Sequence, residues 1–459
     1  MATRIEHRQR RSADGGPAAS WWPDVLGPAL ASSVLVVVTM WASGGGLHGL
    51  GSLAAGVTSV GRLTGLVSAD LLLIQVLLMA RVPVLERAYG QDRLAGWHRR
   101  IGFTSFTLML AHLVLITVGY AQTLHLSLLR QAWELVANYP GMLLAAVGTA
   151  ALVLVTVTSI RAARRRLRYE SWHLLHLYAY LGVGLVLPHQ LWTGADFLAA
   201  PLARLYWWSA YGGCAGVVLA CRLGLPAWRT LRHRIEVDHV VAEAPGVYSI
   251  HLRGRRLQQL PVRAGQFFQW RFLSGPGWSR AHPYSLSAPP GPDRLRITVK
   301  AHGDGGRAVA GLRPGTRAVI EGPYGRLTAE RRTARRVTMI AAGVGVTPLR
   351  ALLEELPYAA GEATLLYRAG TEPEVLFRDE LDDLAATRGV RVRYLVGARA
   401  EDGSWLPAGW SSALDELVPG VRQHDVFVCG PDAWMQAVAR AARQAGVRAD
   451  RIHLECFAW

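Results

Sequence analysis

Six hydrophobic runs, separated by polar segments, occupy the first half of the chain. They lie near residues 24–41, 62–80, 100–120, 140–160, 170–188 and 202–221. Most reach the roughly 17–25 residues that an α-helix needs to cross a bilayer. The pattern predicts a polytopic all-α membrane bundle of six helices within residues 21–225. Residues 1–20 are polar and are predicted to form a disordered cytoplasmic tail.

The pattern changes to short strands after Pro226. β-rich runs at 247–252, 266–270 and 295–300, bounded by turn residues, predict an antiparallel β-barrel over residues 229–330. In residues 335–459, helical stretches alternate with four apolar strands, at 337–342, 364–368, 391–396 and 425–429. This alternation predicts an α/β domain with a parallel sheet and helices on both faces.

The positive charge is concentrated between the hydrophobic runs. The chain has a formal net charge of +17, and five arginines lie in each of the segments 81–100 and 161–168, which are predicted to be loops. Four more arginines follow the sixth run. The positive-inside rule therefore predicts a multi-pass protein of the plasma membrane, with a cytoplasmic N-terminus and a cytoplasmic C-terminal half. Because this charge reflects topology, nucleic acid is excluded as a partner.

Four histidines lie in the third and fifth runs. His98 and His112 are fourteen residues apart, so they share one helix face and lie about 21 Å apart along the axis. The two runs cross the membrane in the same direction, so His98 comes level with His176 and His112 with His189. Ionisable residues inside a bilayer are costly and usually functional, and histidine is an axial ligand of haem iron. The pattern predicts two stacked haem b groups.

The second histidine pair is less regular than the first. Thirteen residues separate His176 from His189, about 220° past three full turns, so a straight helix would point the two rings apart. A bend at Pro188 would relieve this. His173, one turn before His176, is a rival ligand. The alternative hypothesis is a haem-free membrane anchor whose flavin domain reduces a cytoplasmic partner.

Three motifs mark the C-terminal half. His282-Pro283-Tyr284-Ser285-Leu286-Ser287 ends a barrel strand and joins an aromatic ring to hydroxyl groups that suit a flavin. Gly343-Val344-Gly345-Val346-Thr347-Pro348 follows an apolar strand and opens a helix, where glycines let the backbone approach a pyrophosphate. Proline stands where the usual dinucleotide fingerprint has its third glycine. Cys429-Gly430-Pro431 ends the last parallel strand, where ligands of open α/β sheets bind.

These motifs, with Ala264-Gly265-Gln266-Phe267 and Glu321-Gly322-Pro323-Tyr324-Gly325, make residues 230–459 resemble the ferredoxin–NADP reductase superfamily. Through its paired histidines, the segment 60–222 resembles the transmembrane domain of ferric reductases and NADPH oxidases. Joined in this order, the two halves resemble a bacterial member of the ferric reductase and NADPH oxidase superfamily.

The resemblance implies roles for particular residues. Flavin, as FAD or alternatively FMN, would be bound by His282, Pro283, Tyr284, Ser285, Leu286, Ser287 and Lys300. NADPH, or alternatively NADH, would be bound by Gly343, Gly345, Thr347, Pro348, Arg368, Gly430 and Pro431. Cys429 would lie near the nicotinamide, and Arg368 would contact the 2′-phosphate of NADPH. Phe457 or Trp459 would cover the flavin ring.

The implied activity is that of a transmembrane flavocytochrome. Electrons from cytoplasmic NADPH would pass through FAD to a first haem on His98 and His176, then to a second haem on His112 and His189. The acceptor outside would be a ferric chelate, oxygen giving superoxide, a quinone or a protein. Many relatives carry a threonine or serine near Gly306 for the flavin pyrophosphate. This chain has Gly303-Asp304-Gly305-Gly306-Arg307 there, which leaves FAD and FMN open.

Overall fold

The computed structural model describes residues 22–160, 169–198, 200–275, 278, 280–301, 309 and 311–456. The chain divides into two compact units, a membrane unit over Ala18–Ala220 and a C-terminal unit that includes Cys221–Trp459. The predicted tail over residues 1–20, the arginine-rich segment 161–168 and residues Gly303–Arg307 lie outside the described residues.

The membrane unit is helical. Its helices are α1 (Trp22–Trp41), α2 (Leu53–Leu78), α3 (Pro83–Tyr89), α4 (Gln91–Leu124), α5 (Leu128–Asn138), α6 (Met142–Ser159), α7 (Tyr169–Trp192) and α8 (Pro201–Leu219). Among the described residues, six helical stretches are long and apolar enough to span a membrane, and they begin at Asp24, Leu53, Gln91, Met142, Ser171 and Pro201. The prediction of six apolar helices is confirmed.

Close backbone approach holds the helices of the membrane unit together. α2 packs along α4, and α6 packs along α7. A side chain at Gly148 would meet the backbone of Gly182 within 2.8 Å, so these two glycines allow α6 and α7 to touch. Ser68 on α2 and Ser105 on α4 each donate a hydrogen bond to the other's backbone carbonyl, at 2.7 and 2.9 Å. Such reciprocal bonds satisfy buried hydroxyls where no water is available.

Segments that the sequence predicted as loops contain further helices. The prediction of a loop over residues 81–100 was wrong, because α3 and the first turns of α4 occupy it. Pro83 stands at the first turn of α3, where its fixed φ favours a helix. α5 is amphipathic and too short to span a bilayer. It buries Gln131 and Leu135 and leaves Trp133 exposed.

The C-terminal unit begins with α9 (Leu225–His233) and two small antiparallel sheets. The strands are β1 (Glu236–Ala244), β2 (Val247–Arg253), β3 (Phe267–Phe272), β4 (His282–Ser285), β5 (Arg294–Lys300) and β6 (Ala318–Tyr324). They form sheets of order β1-β2-β5 and β4-β3-β6, with a bridge between Leu286 and Ile297. Trp270 and Ile297 are among the fully buried residues of one core shared by both sheets. The antiparallel strands are confirmed, whereas closure into a barrel stays a prediction.

A five-stranded parallel sheet follows. Its strands are β7 (Val337–Ala342), β8 (Ala363–Ala369), β9 (Arg391–Val396), β10 (Asp425–Gly430) and β11 (Ile452–Cys456), in the order β11-β10-β7-β8-β9. The helices α10 (Val346–Glu355) and α11 (Arg378–Arg388) pack on one face, and α12 (Asp432–Gln444) packs on the other. The parallel sheet with helices on both faces is confirmed. The sequence did not predict β11, because its residues Ile452–Cys456 alternate in polarity and lack the apolar run of the other four strands.

A buried carboxylate joins the amino ends of the strands. Asp425 is fully buried and accepts hydrogen bonds from the Thr333 amide at 2.6 Å, the Ala334 amide and the His453 ring at 3.0 Å. Burial alone would raise the pKa of Asp425, but the hydrogen bonds from His453 and the two amides outweigh it and lower the pKa. Asp425 lies at the edge of the sheet opposite the strand carboxyl ends, so we assign it to stability.

We expect Asp425→Ala to lower the free energy of unfolding by about 3 kcal/mol, because it leaves buried donors without an acceptor. That loss corresponds to about 6–12 °C in the unfolding temperature of the C-terminal unit, measured in the full-length protein. Because the folded-state pKa is depressed, the difference between wild type and variant should persist at neutral pH and shrink as the pH falls below about 4. Asp450→Ala, at an exposed ion pair with Arg448, is the control and should leave the unfolding temperature unchanged.

Candidate functional site

The topology of the parallel sheet creates a crevice between β7 and β10. The chain passes from β7 outward through β8 and β9, and then returns to place β10 on the other side of β7. Ligands of open α/β sheets bind at this kind of switch point, outside the carboxyl ends of the strands. Gly343–Pro348 follows β7, and Cys429–Pro431 ends β10, so both predicted nucleotide motifs border the crevice.

The two glycines after β7 are needed for different reasons. Gly343 has φ +53°, a left-handed conformation that glycine adopts without cost, and its side-chain position is open. Gly345 has an ordinary backbone conformation, but a Cβ there would lie 2.3 Å from the carbonyl oxygen of Cys429. Thr347 closes the turn by donating from Oγ1 to the Val344 carbonyl at 2.9 Å. The turn thus brings the amino end of α10 against the end of β10, where its free amides suit a pyrophosphate.

Arg368 lies at the carboxyl end of β8, beside this crevice. It is half-buried, and its guanidinium donates to the Ala398 carbonyl at 3.1 Å. Burial and the nearby charge of Arg399 lower the pKa of Arg368. Two neighbouring cations at the edge of a nucleotide crevice suit an anionic group such as a 2′-phosphate. The sequence did not single out Arg399, which lies after β9 and thirty-one residues from Arg368.

We expect Arg368→Ala to raise the KM for NADPH about ten- to a hundredfold and to leave the KM for NADH nearly unchanged, because a charge-assisted hydrogen bond contributes about 1.5–3 kcal/mol. Steady-state reduction of ferricyanide with each nucleotide measures this. Arg335→Ala, which removes an exposed arginine at the other edge of the sheet, is the matched control. Equal losses with both nucleotides would show that Arg368 supports the local structure through its hydrogen bond to the Ala398 carbonyl and does not bind the 2′-phosphate.

The flavin motif, His282–Ser287, begins with the four residues of β4. Burial raises the pKa of Tyr284 to about 12, and the Tyr284 carbonyl accepts from Trp270 Nε1 at 3.0 Å. The rings of His282 and Tyr284 lie nearly parallel, with centroids 5.8 Å apart. Ser285 is buried, and its hydroxyl has no partner among the described residues. A buried hydroxyl without a partner normally costs free energy, so this group is available to a flavin atom bound against the motif.

The other predicted flavin and nucleotide residues have varied surroundings. Leu286 and Ser287 are fully buried, and Ser287 Oγ accepts from Thr298 at 2.8 Å, so its side chain supports the motif from inside. Lys300 is exposed at the end of β5. The Cys429 side chain is fully buried at the end of β10. Pro283 is half-buried, Gly430 faces the ring of Trp434, and Pro348 and Pro431 lie in helix-opening turns. Phe457 and Trp459 lie outside the described residues, directly after β11.

A charged triad links the flavin motif to the nucleotide helix α10. Glu380 on α11 accepts two hydrogen bonds from Arg296 on β5, at 2.6 and 2.9 Å, and forms an ion pair with Arg350 on α10 at 2.6 Å. Both arginines also donate to the Ser287 carbonyl, at 2.9 and 3.2 Å. Burial alone would raise the pKa of Glu380, but the two arginines lower it. The triad therefore holds the end of the flavin motif in register with α10. No local pattern in the sequence signals it.

The membrane unit brings the predicted histidines into pairs. The ring centroids of His98 and His176 lie 5.9 Å apart. His189 lies close enough to His112 to interact with it electrostatically. His173 is exposed, whereas His176 is half-buried and faces His98, which favours His176 over its rival. A Cβ at Gly65 would lie 2.5 Å from His112 Nδ1, so Gly65 lets α2 approach that ring.

Hydrogen bonds at Nδ1 fix the tautomers of these histidines. His98 donates to the Gln75 carbonyl at 3.1 Å, His112 to the Gly61 carbonyl at 2.8 Å, and His189 to the Val186 carbonyl at 2.6 Å. Carbonyl oxygens only accept hydrogen bonds, so Nδ1 carries the proton and Nε2 keeps its lone pair.

His176 reaches the same state by another route. Its Nδ1 lies 3.3 Å from the Ser159 hydroxyl, which already donates its only proton to the Val155 carbonyl at 2.7 Å. Ser159 therefore accepts from His176. Four neutral imidazoles with a free Nε2, in two pairs, form a donor set that fits two haem irons. Among the described residues there is no group of three or more His, Cys, Asp or Glu side chains that would hold a bare metal ion.

Comparison with known proteins shows relatives for both units. The family model "Ferric reductase like transmembrane component" matches residues 64–187, and "Oxidoreductase NAD-binding domain" matches residues 339–440. Ferredoxin–NADP reductase B of Sorangium cellulosum is 32% identical over 199 residues, which are 40% of this chain and 80% of that protein. The chain belongs to the ferredoxin–NADP reductase family. In this member of the family, a ferric reductase-like transmembrane component is fused to the reductase.

Other relatives match the reductase part of the chain. The ferredoxin reductase component of 3-ketosteroid-9-alpha-monooxygenase from Mycobacterium tuberculosis is 34% identical over 208 residues. The match covers 44% of this chain and about half, 56%, of that relative. The FAD/NAD-binding domain of nitric oxide dioxygenase from Vibrio cholerae, a solved structure, is 25% identical with a TM-score of 0.40, over 49% of this chain and 98% of that domain. This ferredoxin–NADP reductase family member thus combines a ferric reductase-like transmembrane component with an oxidoreductase NAD-binding domain.

Proposed function

We propose that this reductase moves electrons from cytoplasmic NADPH, through FAD and two haem b groups, to an acceptor on the other side of the plasma membrane. The observation that carries the proposal is the set of four membrane histidines. Each has its Nδ1 hydrogen-bonded and its Nε2 available, and His98 and His176 face each other at 5.9 Å. His98 and His176 would hold one haem, and His112 and His189 the other, as one-electron carriers.

Residues of the C-terminal unit would orient the nicotinamide and the flavin. The amides after Gly343 and Gly345 bind the pyrophosphate of NADPH, and Arg368 with Arg399 binds its 2′-phosphate. The buried Ser285 hydroxyl hydrogen-bonds the flavin, and Tyr284 packs against its ring. Bound flavin accepts two electrons and passes them on singly, which a haem requires. The triad of Arg296, Glu380 and Arg350 keeps these two sets of residues in register.

The C-terminal aromatics would act as a cover. Phe457 and Trp459 follow β11, whose carboxyl end lies at the same edge of the sheet as Cys429. An aromatic ring stacked on the flavin must leave when the nicotinamide enters. The buried Cys429 at the end of β10 would line the nicotinamide side of the crevice.

Orientation follows from the arginines. The segments 81–100 and 161–168 carry ten of the fourteen arginines between residues 21 and 225, and the positive-inside rule favours a cytoplasmic location for these segments, the N-terminus and the C-terminal unit. Electrons would therefore leave on the far side of the membrane, where ferric chelates, oxygen or a quinone can accept them. We favour a ferric chelate or oxygen, the second of which would yield superoxide.

A visible spectrum of the purified protein tests the proposal. A reduced spectrum with bis-histidine haem b bands, and about two haems per chain, is expected. In sealed, right-side-out vesicles loaded with NADPH, external ferric citrate or oxygen should be reduced. A protein that binds flavin and oxidises NADPH but lacks haem absorption would support the haem-free alternative, a flavin reductase with a cytoplasmic partner.

A further inference from the structure

A carboxylate without a full set of partners lies in the middle of the membrane unit. Asp70, on α2, is 3% exposed. Its Oδ1 accepts from Ser33 on α1 at 2.7 Å and from Tyr206 on α8 at 2.8 Å. Its Oδ2 is buried and has no hydrogen-bond partner among the described residues. Ionisable groups at membrane depth are costly and are normally retained for a function.

Asp70 lies at a depth between the two histidine levels. α2 presents the Gly61 carbonyl to His112 and the Gln75 carbonyl to His98. Asp70 is nine residues after Gly61 and five before Gln75, about 14 Å and about 8 Å along the helix axis. It faces α1 and α8, on the other side of α2 from α4, so about one helix diameter, roughly 10 Å, separates it from the histidine rings.

The hydrogen bonds around Asp70 suit a protonated carboxyl group. Both donors, from Ser33 and Tyr206, point to the same oxygen, as they would to the carbonyl of a neutral acid. The other oxygen would then carry the proton. An ionised carboxylate in this place would keep one buried oxygen without any donor, which is unfavourable in a low dielectric. In the neutral acid the second oxygen would be an O–H without an acceptor, and in the carboxylate it would be a charged oxygen without a donor, which is the more costly of the two.

A small cavity lies one helical turn from Asp70. The cavity has a volume of about 10 Å³, close to the room that a single water needs. It is lined by Leu66, Val37 and Trp207, which neighbour Asp70, Ser33 and Tyr206 along their helices, and it extends to Asp196. Asp196 is paired with Arg62 nearer the end of α2. The cavity thus lies between Asp70 and this ion pair.

We propose that Asp70 is a redox-linked protonation site. When one electron enters the membrane unit, one proton from water bonds to Asp70 Oδ2, and the same proton returns to water when the electron leaves. The physical cause is charge compensation, because an extra negative charge in a low-dielectric interior repels the carboxylate and favours its neutral form. This inference rests on the proposed function, since it requires an electron to reside at the histidine levels.

The groups around Asp70 indicate that the Asp70 carboxyl itself binds the proton. Among the residues that the structure describes, Asp70 accepts hydrogen bonds from the Tyr206 phenol of α8, which is titratable, and from the Ser33 hydroxyl of α1, which is not. On α2 itself, Arg62 lies two turns away and is neutralised by Asp196. A purely structural role, in which Asp70 only ties α1, α2 and α8 together, predicts no exchange of protons.

Redox titrations of the purified holoprotein at several pH values separate the two roles. In wild type, the haem midpoint potential should fall as the pH rises. The slope should approach at most about 59 mV per pH unit, the equivalent of a tenfold change in equilibrium constant for one electron. Asp70→Asn keeps the shape and the acceptor oxygen but cannot bind a proton, so its midpoint should be higher and independent of pH. Ser68→Ala, on the α4 side of α2, is the control and should keep the wild-type slope.

Infrared difference spectra of the wild type give a second test that needs no variant. Reduction should produce a carboxylic acid C=O band that shifts in D₂O. The absence of such a band, or a haem-loaded Asp70→Asn protein with the wild-type slope, would overturn the inference alone. A wild-type protein without haem absorption would overturn the proposed function and this inference with it.

Discussion

Replacement of His112 by alanine is expected to lower the haem content from about two to about one per chain and to abolish transmembrane reduction. His112 and His189 would each supply one Nε2 to the same haem iron. α2 lies so close to His112 at Gly65 that another side chain cannot move into the place of the missing ring. Loss of a metal ligand should weaken binding by more than the 10- to 100-fold that loss of an outer hydrogen bond costs. NADPH-dependent reduction of ferricyanide on the cytoplasmic side should remain.

Pyridine haemochrome analysis and vesicle assays measure these outcomes. His173→Ala is the matched control, because His173 lies on α7, one turn from His176, but is exposed. It should keep both haems, whereas His176→Ala should lose the haem that it shares with His98. An unchanged haem content in His112→Ala would contradict the assignment of His112 and His189 as the ligands of one haem.

Gly345→Ala is expected to lower kcat/KM for NADPH by about a hundredfold or more. The new Cβ would lie 2.3 Å from the Cys429 carbonyl oxygen, a backbone atom that cannot swing aside. The amino end of α10 must then move away from β10 by about 1 Å, and a displacement of this size near reacting groups costs about a hundredfold in rate. Flavin binding should persist, because Ser285 and Tyr284 lie on other strands.

Steady-state kinetics with ferricyanide, together with flavin content, measure this effect. Gly291→Ala is the control, since its Cβ also meets a backbone oxygen, that of Arg294, but at 3.2 Å, which requires a much smaller shift, and outside the nucleotide crevice. It should retain wild-type kinetics. If Gly345→Ala also kept wild-type kcat/KM, the close packing of α10 on β10 would not be what forms the nucleotide site.

The sequence by itself determined the elements whose signal is local. Bilayer thickness sets the length of a membrane helix, so six long apolar runs were sufficient to predict six helices. The apolar runs of β7, β8, β9 and β10 are short and flanked by turns, and the predicted strands agree with the structure to within a residue or two. The motifs at Gly343–Pro348 and Cys429–Pro431 could be placed at strand ends from the sequence, because each is a run of contiguous residues next to an apolar strand.

Only the tertiary structure decided which distant residues meet. Arg296, Glu380 and Arg350 come from three separate elements, and their ion pairs depend on how β5, α10 and α11 pack. On a straight helix, the spacing of His176 and His189 would not let both rings face the histidines of α4. The hydrogen bonds of Nδ1 to carbonyl groups of neighbouring turns and helices, which orient the rings, appear only once the helices are packed. Asp70 reads as one polar residue in an apolar helix until α1 and α8 bring Ser33 and Tyr206 to it, because the cost of a buried charge depends on its surroundings rather than on its neighbours in the chain.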